Sequence, residues 1–482
     1  MGDARHVSGL QLARLLGELP AERPFYGALA TGVRNLIRDG RLPLGVRLPA
    51  ERDLASALSV SRTTVTSAYD SLREDGYVSS KQGAGSWTTL PPVTLSPLPP
   101  VPAFTADPGP VMPPDTIDLG CAAPAAPAVF SEAVEAAVRE LPRYSCVAGY
   151  EPAGLPVLRA AIADRYTQRG LPTRPEEIII TTGGQQACDL LIRTLVSRGD
   201  TVMLERPTYP HVLTALRNRG ARLVPVGIAD GWDLDLISAG MRQAAVRLGY
   251  FIPDFQNPTG HLMPESDRIA LVEAARAAQT QLISDETFAE LGIEEPVPSP
   301  VAAYDTGGRV ISVGSASKLF WGGLRIGWIR TTIPLARKLA TVREPMDIAS
   351  PVLEQLITAE LFQRLEEVRA ERSARLAASR DALVEALRTR LPDWRFTVPS
   401  GGMSLWARLP SPVATAFCEV AQRRGVRIVP GPVFGADGVL EDAVRLPYVL
   451  RPDVMREAVE RMAAAYSGVE DLPAARSLPA CV

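Results

Sequence analysis

Lysine is scarce in this chain, yet one of its few lysines lies where chemistry could use it. Of the 51 basic residues only Lys81, Lys318 and Lys338 are lysine, and the others are arginine. Genomic base composition can produce such a bias, so the scarcity by itself excludes no function. Lys318, however, follows the apolar run Val310–Val313. A lysine at the end of a strand can form a Schiff base with an aldehyde.

Cysteine and histidine are also few. The five cysteines are odd in number and widely spaced, no Cys-x-x-Cys pair occurs, and the three histidines are scattered. This spacing argues against a disulfide framework and against a zinc site, so we predict no bound metal. The composition is typical of a protein of the reducing cytoplasm.

Long apolar runs are missing as well. No run approaches the roughly 18 apolar residues of a membrane-spanning helix, and no charged segment followed by an apolar stretch begins the chain. We therefore predict neither a membrane span nor a signal peptide. The net charge of −3 excludes a strongly basic protein, so any nucleic-acid binding must come from a local surface. A length of 482 residues allows two or three domains.

Proline, in contrast, is concentrated in one segment. Ten of the 24 residues from 91 to 114 are proline, which fixes φ and removes amide donors. We predict a semi-rigid linker with a reach of at most about 75 Å, at roughly 3.1 Å per residue. An ordered loop wrapped on the larger body is the alternative. The predicted domains are 1–90, a linker over 91–115, and a large domain over 116–482.

Three short helical patterns precede this linker. The first lies within residues 25–37, the second lies around Leu54, and the third begins at Ser61, a good N-cap. Val65, Ala68 and Leu72 would form the buried face of the third helix. Residues 76–78 and 86–88 are predicted as two strands of a hairpin. Two helices joined by a short turn and followed by a hairpin indicate a mostly α-helical, winged helix-turn-helix domain.

The third predicted helix would present polar side chains near its N-terminus, which is typical of a helix that enters the major groove of DNA. Arginine can bond guanine edges, and threonine can contact phosphate or the thymine methyl group. The hairpin would be a wing over the adjacent backbone. The residues that this arrangement brings toward DNA are Ser61, Arg62, Thr63, Thr64, Lys81 and Gln82.

This stretch resembles the GntR-type winged helix over residues 20–90. The matching strings are residues 48–55 (Leu-Pro-Ala-Glu-Arg-Asp-Leu-Ala) and residues 60–65 (Val-Ser-Arg-Thr-Thr-Val). The resemblance implies that Arg52, Arg62 and Thr63 contact DNA. A winged helix that makes only protein contacts is the alternative.

After the linker, strand and helix patterns alternate. This alternation predicts an α/β domain with a mostly parallel sheet covered on both faces. From about residue 351 a long helix rich in arginine and glutamate is followed by a mixed tail, which indicates a small C-terminal α+β subdomain. The candidate strands are Ile178–Thr181, Thr201–Leu204, Leu223–Val226, Tyr250–Ile252, Leu282–Ser284 and Val310–Val313.

Polar residues follow several of these strands directly, at the edge where open α/β sheets bind ligands. Asp285 could pair with a protonated pyridine nitrogen, and Asn257 could bond a phenolic oxygen. Tyr209 could stack on a ring. Alone, each of these residues could equally serve as a cap, a turn or a core residue. Their shared place beyond strand ends favours one site.

A phosphate group could be held beside Lys318. Gly184 and Gln185 open a helix whose free amides suit an anion. Ser315 offers a hydroxyl, and Arg325 offers a guanidinium. Pyridoxal 5′-phosphate carries both an aldehyde, which a lysine can bind, and a phosphate group. A lysine beside a phosphate site therefore points to this cofactor.

Over roughly residues 116–465 the chain resembles the fold-type I, pyridoxal phosphate-dependent aminotransferases. The resemblance implies that Lys318 forms the Schiff base, and that Arg445, in Val444–Tyr448, pairs with a substrate carboxylate. It implies a ring site of Tyr209, Asn257 and Asp285 and a phosphate site of Gly184, Gln185, Ser315 and Arg325.

The chain departs from this family at two positions. Thr287 stands two residues after the aspartate, where the family often has a tyrosine, so one bond to the ring oxygen is in doubt. The glycine-rich segment around Tyr150 resembles the one that supplies a tyrosine to the partner subunit, but its register is off by one.

Together, a winged helix, a linker and an aminotransferase-like body resemble the MocR branch of GntR regulators. The resemblance implies a cytoplasmic homodimer that binds double-stranded operator DNA. Pyridoxal phosphate, or its Schiff base with an amine or amino-acid effector, would modulate that binding. The alternative is an active aminotransferase with an accessory DNA-binding domain, because the residues leave turnover open. A scaffold without cofactor is disfavoured by Lys318, Asp285 and Arg325.

Overall fold

A computed structural model describes residues 6–17, 25–38, 41–81, 85–89, 115–228, 231–294 and 296–470. The proline-rich segment over 91–114 and the predicted wing residue Gln82 lie outside the described residues. The chain divides into two compact units, one with the N-terminal helices and one with the large sheet. The domain boundaries within the proline-rich segment stay a prediction.

In the described ranges, the N-terminal unit contains four helices and a hairpin. The third predicted helix, the one expected to enter the major groove, is called the recognition helix below. Its predicted buried face is confirmed, because Val65, Ala68 and Leu72 are fully buried in the core of this unit. Ser61 caps that helix by accepting a hydrogen bond from the Thr64 amide at 3.1 Å. The elements are α1 (Gly9–Leu16), α2 (Phe25–Arg38), α3 (Glu51–Leu58), α4 (Arg62–Glu74), β1 (Val78–Lys81) and β2 (Gly85–Thr88).

Helix α1 lies outside the three predicted helices. The Ser8 hydroxyl accepts from the Gln11 amide at 3.2 Å, and the Gln11 side chain accepts from the Ser8 amide at 2.9 Å. This reciprocal arrangement is a capping box, for which Ser-x-x-Gln is a recognisable sequence signal. The helix contacts α3 and buries Leu12 completely.

The predicted hairpin forms, with β1 antiparallel to β2 from the pair Val78–Thr88 onward. Strand β1 begins at Val78 and not at Gly76, because the chain is still leaving α4 there. Gly76 has a φ of +74°, and the Tyr77 amide donates to the Leu72 carbonyl at 2.8 Å. The wing therefore follows the recognition helix almost without a connecting loop.

The C-terminal unit begins with a short strand and three helices, and then alternates strands with helices. Four of the seven strands of its large sheet are buried along their whole length, as expected for a sheet covered on both faces. The first elements are β3 (Ile117–Asp118), α5 (Phe130–Glu140), α6 (Pro142–Ser145) and α7 (Pro156–Gln168). They are followed by β4 (Ile178–Thr181), α8 (Gly184–Leu195), β5 (Thr201–Arg206), α9 (Pro210–Arg219), β6 (Arg222–Gly227), α10 (Leu234–Gln243), β7 (Leu248–Phe251), α11 (Glu265–Ala278), β8 (Gln281–Asp285), β9 (Val310–Ser315), α12 (Ala316–Leu319), β10 (Gly327–Arg330) and α13 (Ile333–Asp347).

The large sheet has seven strands in the order β4-β10-β9-β8-β7-β5-β6. Strands β5, β7, β8 and β9 pair in parallel, so the predicted mostly parallel sheet is confirmed. Parallel pairing brings the carboxyl ends of these strands to one edge. The polar residues that follow them are therefore gathered in one place.

Strand β10 is not among the predicted strands, and it runs antiparallel to both of its neighbours, β4 and β9. Its four residues, Gly327–Arg330, carry a weak strand pattern because they include a glycine and an arginine. Pairing on both sides makes the segment a strand. Trp328 lies opposite Gly314 in β9, where an added Cβ atom would collide with the indole ring, so the partner must be glycine.

The chain ends in the predicted small α+β part. The helix expected from about residue 351 is divided in two, and its long arginine- and glutamate-rich section is the second helix. The elements are α14 (Val352–Gln363), α15 (Leu365–Arg390), β11 (Ser404–Arg408), α16 (Ala414–Arg423), β12 (Val426–Arg427), β13 (Val429–Pro430), β14 (Ala443–Pro447) and α17 (Pro452–Glu470). Strands β11, β14 and β13 form an antiparallel sheet, and β12 pairs with β3. Across the described ranges, no helix is long and apolar enough to span a membrane.

Candidate cofactor and nucleic-acid sites

A cavity of about 680 Å³ opens where the parallel strands end. Tyr150 does not line it, because this side chain lies in the loop between α6 and α7 with 67% of its surface exposed. The other residues predicted for the cofactor and for a carboxylate all line the cavity: Gly184, Gln185, Tyr209, Asn257, Asp285, Thr287, Ser315, Lys318, Arg325 and Arg445.

Lys318 projects from the short helix α12 into this cavity. Its Nζ donates a hydrogen bond to the Ala122 carbonyl at 2.8 Å. The side chain keeps some accessible surface toward the cavity, but the protein surrounds the amine, and this burial lowers the pKa of Lys318 to about 8. Near neutral pH the neutral, nucleophilic form is therefore far more populated than in an ordinary lysine.

Asp285 ends strand β8 and is held from two sides. The Tyr250 hydroxyl donates to Asp285 Oδ2 at 2.6 Å, and the Thr287 amide donates to Oδ1 at 3.0 Å. Burial raises the pKa of Asp285, and these hydrogen bonds oppose the rise by favouring the carboxylate. A carboxylate fixed in this position can pair with a protonated ring nitrogen.

Tyr250 is a site residue that the sequence reasoning missed, since the pattern predicts it only as part of a strand. It lies in β7, next to β8, and its ring is fully buried. A buried tyrosine hydroxyl usually needs a partner, and that need was the available signal. Only the pairing of β7 with β8 shows that the partner is Asp285.

Glu205 was also missed, and it ties two loops of the cavity wall together. Its carboxylate accepts from the Trp232 indole at 2.8 Å, the Ile252 amide at 3.1 Å and the Gln256 amide group at 2.9 Å. Burial raises the pKa of Glu205 to about 8, although these donors oppose the rise. These contacts hold the end of β5, which leads to Tyr209, against the turn that carries Asn257.

The start of helix α8 and the loop before β10 lie close together and offer donors that suit an anion. Gly183 has a φ of +87°, and a Cβ atom there would lie 2.8 Å from Arg325 Nη2. Arg325 also donates to the Thr182 carbonyl at 3.3 Å. Free amides at the start of α8, the Arg325 guanidinium and the nearby Ser315 hydroxyl suit a phosphate group.

Three buried polar atoms of the cavity wall have no hydrogen-bond partner among the residues that the structure describes. They are Asn257 Oδ1, Gln185 Oε1 and Arg445 Nε. Buried polar groups are nearly always bonded, so these atoms indicate a polar molecule in the cavity. An amine, a carboxylate, a carbonyl and an anion site around one cavity fit pyridoxal 5′-phosphate in their chemistry.

Arg445 lies on strand β14 at another part of the wall. One of its terminal nitrogens donates to the Gly120 carbonyl, and its guanidinium lies 5.1 Å from the centre of the Phe434 ring. Burial lowers the pKa of Arg445 to about 10, which leaves it charged at neutral pH. With Nε free of a protein partner, Arg445 can bind a carboxylate.

In the N-terminal unit the predicted DNA-binding side chains Arg52, Arg62 and Thr63 are exposed. Arg52 and Arg62 line one open groove of about 1070 Å³, which Arg47 also lines. Arg62 Nε lies 3.1 Å from Glu51 Oε2, so this contact orients the arginine from the recognition helix. Arg47 is exposed beside the wing and was missed, although it directly precedes the matching string at residue 48.

The remaining DNA-binding predictions have other surroundings. The Ser61 hydroxyl caps α4 and lies 2.7 Å from Thr63 Oγ1 and 2.8 Å from Thr64 Oγ1. Thr64 is half-buried, and Lys81 is the last residue of β1.

Within the described residues, no group of three or more histidine, cysteine, aspartate or glutamate side chains could hold a metal ion.

Comparisons with known protein families match both units. Residues 115–462 match the aminotransferase class I and II family, and residues 25–87 match the gntR family of bacterial regulatory proteins. The two matches lie on either side of the proline-rich segment.

Similar proteins of nearly the same extent are regulators by name. The chain is 30% identical to the probable rhizopine catabolism regulatory protein MocR of Rhizobium meliloti, over 93% of this chain and 95% of that protein. It is 29% identical to the uncharacterized HTH-type transcriptional regulator YisV of Bacillus subtilis, over 88% and 92% of the two chains.

Among solved structures the larger unit is similar to an aminotransferase. The structure is that of LysN, an alpha-aminoadipate aminotransferase from Thermus thermophilus, complexed with N-(5′-phosphopyridoxyl)-L-leucine. The match has a TM-score of 0.70 and 31% identity, and it covers 75% of this chain and 94% of that chain.

Proposed function

Because the chain belongs to the aminotransferase class I and II family and carries a gntR-type domain ahead of that region, we propose that it is a pyridoxal phosphate-dependent transcriptional regulator. The observation that carries the proposal is the share of this chain that each kind of similar protein covers. Similarity to named regulators covers 93% and 88% of this chain, whereas the similar aminotransferase structure covers 75% of it. The region that the aminotransferase lacks is where the proposed DNA-binding residues lie.

The proposed cofactor residues divide by role. Lys318 offers the amine for attachment, and Asp285 holds a proton-bearing ring nitrogen. Asn257 would bond the ring oxygen, Tyr209 would stack on the ring, and Thr287 would line the cofactor site. When bound, pyridoxal phosphate supplies an aldehyde that amines can join and a ring that withdraws electrons. The proposed phosphate site comprises Gly184, Gln185, Ser315 and Arg325.

The proposed signal is an amine or amino acid that competes with Lys318 for the cofactor, with Arg445 as the contact for its carboxylate. An effector can change DNA affinity only if it binds two conformations of the protein with different affinity. The proposed linker over 91–115 connects the domains that must respond, 1–90 and 116–482.

For the winged helix, the proposed partner is double-stranded operator DNA. Arg62, Thr63 and Thr64 would face the major groove, Arg52 and Ser61 would meet the backbone, and Lys81 with Gln82 would belong to the wing. Because DNA is the partner, we place the protein in the cytoplasm.

We also propose a homodimer formed through the large domain. Val147 and Tyr150 are exposed by 68% and 67%, and Ile348 is exposed by 43%. We propose that these apolar side chains belong to one surface, because a Cβ atom at Gly149 would lie 4.0 Å from the Val352 side chain, four residues after Ile348. Covering this surface with a second copy would bury it, and would bring Tyr150 to the partner. A dimer would present two winged helices to an operator with two half-sites.

Borohydride reduction tests the cofactor assignment. The full chain should carry visible absorbance from bound pyridoxal phosphate, and reduction should attach the cofactor permanently to Lys318. Lys318→Ala is the control that should remain unlabelled. A label on Lys81 or Lys338 with Lys318 untouched would refute the assignment.

An active aminotransferase with an accessory DNA-binding domain is the second candidate. The observation that favours it is the nearly complete set of polar residues around the cavity, from which Tyr150 is missing. Turnover of amino acids with an added 2-oxo acid distinguishes the two functions. A regulator should change its operator affinity with pyridoxal phosphate or amine, whereas a plain enzyme should turn over without such a change.

A further inference from the structure

The charged groups of the cavity decide which effectors it can accept. Among the described residues of its lining, the aspartate, lysine and arginine side chains are Asp285, Lys318, Arg325 and Arg445. The proposed function, on which this inference rests, assigns the first three to the cofactor. Within the described lining, Arg445 is then the only charged side chain left for an effector.

The wall beside Arg445 is apolar and firmly packed. Val429 in β13 pairs with Arg445 in β14, and Val433 and Phe434 follow in the next turn. Phe434 is only 1% exposed, and its ring packs edge-on against Trp406 at 5.6 Å between ring centres. The side chains that Val429, Val433 and Phe434 contribute to the cavity are apolar and belong to one cluster, and the Arg445 guanidinium donates to a backbone carbonyl, that of Gly120.

His211 adds no positive charge to this part of the cavity. Its ring packs against Tyr209 at 5.2 Å between ring centres, next to the proposed ring site. Burial lowers the pKa of His211 below its usual value, so the neutral imidazole dominates at neutral pH. A second carboxylate on the effector would therefore find no cationic partner here.

We propose that the effector is an amine with a single carboxylate and an uncharged, apolar body, such as a neutral α-amino acid. The carboxylate would pair with Arg445, whose Nε has no hydrogen-bond partner within the described part of the chain. The body would lie on Val429, Val433 and Phe434. A second carboxylate or an ammonium group in that place would lose its hydration without an ion partner, which opposes binding.

The test is a titration of the full chain loaded with pyridoxal phosphate, followed by the absorbance of the bound cofactor. L-Leucine should half-saturate the change at a concentration at least about tenfold lower than L-glutamate or L-lysine, because a buried charge without a partner costs more than that factor. Equal or tighter binding of L-glutamate or L-lysine would overturn the proposal. This comparison uses unaltered protein and does not depend on any variant folding.

Two variants assign the preference to the named residues. Arg445→Gln should weaken the response to L-leucine and leave the response to isoamylamine, which is leucine without its carboxylate, unchanged. Val433→Arg should improve L-glutamate relative to L-leucine by supplying a second cation. Equal losses for leucine and isoamylamine in Arg445→Gln would show that Arg445 does not read the carboxylate.

Failure of this inference can be distinguished from failure of the proposed function. If the protein holds pyridoxal phosphate on Lys318 but no amino acid changes its absorbance, the effector class is wrong and the cofactor assignment stands. If the protein holds no cofactor, both are wrong.

Discussion

At the scale of single residues, the hydrogen bond from Tyr250 to Asp285 controls the charge at the proposed ring site. Tyr250→Phe removes a donor that stabilises the carboxylate, so the pKa of Asp285, already raised by burial, should rise further. A smaller fraction of Asp285 is then ionised at any given pH. We expect about ten- to hundredfold weaker cofactor binding at neutral pH, in line with the roughly 1.5–3 kcal/mol of one hydrogen bond to a charged group. Recovery should require a higher pH.

The measurement is the dissociation constant of pyridoxal phosphate as a function of pH. Tyr448→Phe is a matched control, because it removes another buried hydroxyl, one that donates to the Gly401 carbonyl. Tyr448 does not line the cavity. A Tyr250→Phe variant with the same pH profile as the control would show that the bond to Asp285 has no electrostatic role.

Lys318 should give the attachment of cofactor a distinctive pH dependence. The neutral amine reacts and the protonated amine does not, so the rate should increase as pH rises through the pKa of about 8. An ordinary lysine would show this increase near 10.5. Stopped-flow absorbance after mixing cofactor with cofactor-free protein measures the rate, and Lys318→Arg should abolish attachment. If the attachment rate reached half of its maximum only near pH 10.5, the cavity would not lower the pKa of the amine.

At the scale of elements, we expect the binding of operator DNA by the recognition helix α4 to depend on Arg62. Arg62→Ala should weaken binding to the operator by about 1–3 kcal/mol if the side chain reads a guanine. Binding to unrelated DNA should then change little. Arg14→Ala, on the exposed face of α1, is the control for loss of one positive charge. Equal losses on all sequences would identify Arg62 as a phosphate contact.

Helix α1 should stabilise the N-terminal unit through its capping box. Ser8→Ala leaves the Gln11 amide without its partner, and the expected loss is about 1 kcal/mol in the free energy of unfolding. Ser8→Asp keeps an acceptor at the N-cap and should restore stability. Chemical denaturation of the winged-helix unit measures the difference. If Ser8→Ala and Ser8→Asp are equally destabilised, the cap does not hold α1.

At the scale of the whole molecule, the proline-rich segment is proposed to limit where the winged helices can go. Replacing residues 91–114 by a Gly/Ser segment of equal length should leave cofactor binding intact. It should, however, reduce the ratio of operator affinities with and without pyridoxal phosphate, because a flexible chain no longer restricts reach. Operator titrations of both proteins give the ratio. An unchanged ratio would show that the segment is only a tether.

Much of this protein follows from local sequence patterns. The buried face of α4, its Ser61 cap, the alternating strands and the residues that follow them all depend on neighbours a few positions away, which a sequence displays directly. For the same reason the strand pattern alone predicts that Lys318, Asp285 and Arg325 lie near one another, since parallel strands end at a common edge.

What the tertiary structure decided are the contacts between segments far apart in the chain. The order β4-β10-β9-β8-β7 makes Gly327–Arg330 a strand and brings Tyr250 within hydrogen-bond distance of Asp285. The apolar wall beside Arg445 likewise depends on the pairing of β13 with β14. Strand pairing of this kind is fixed by packing and backbone hydrogen bonds summed over the whole sheet, and no local pattern contains that sum.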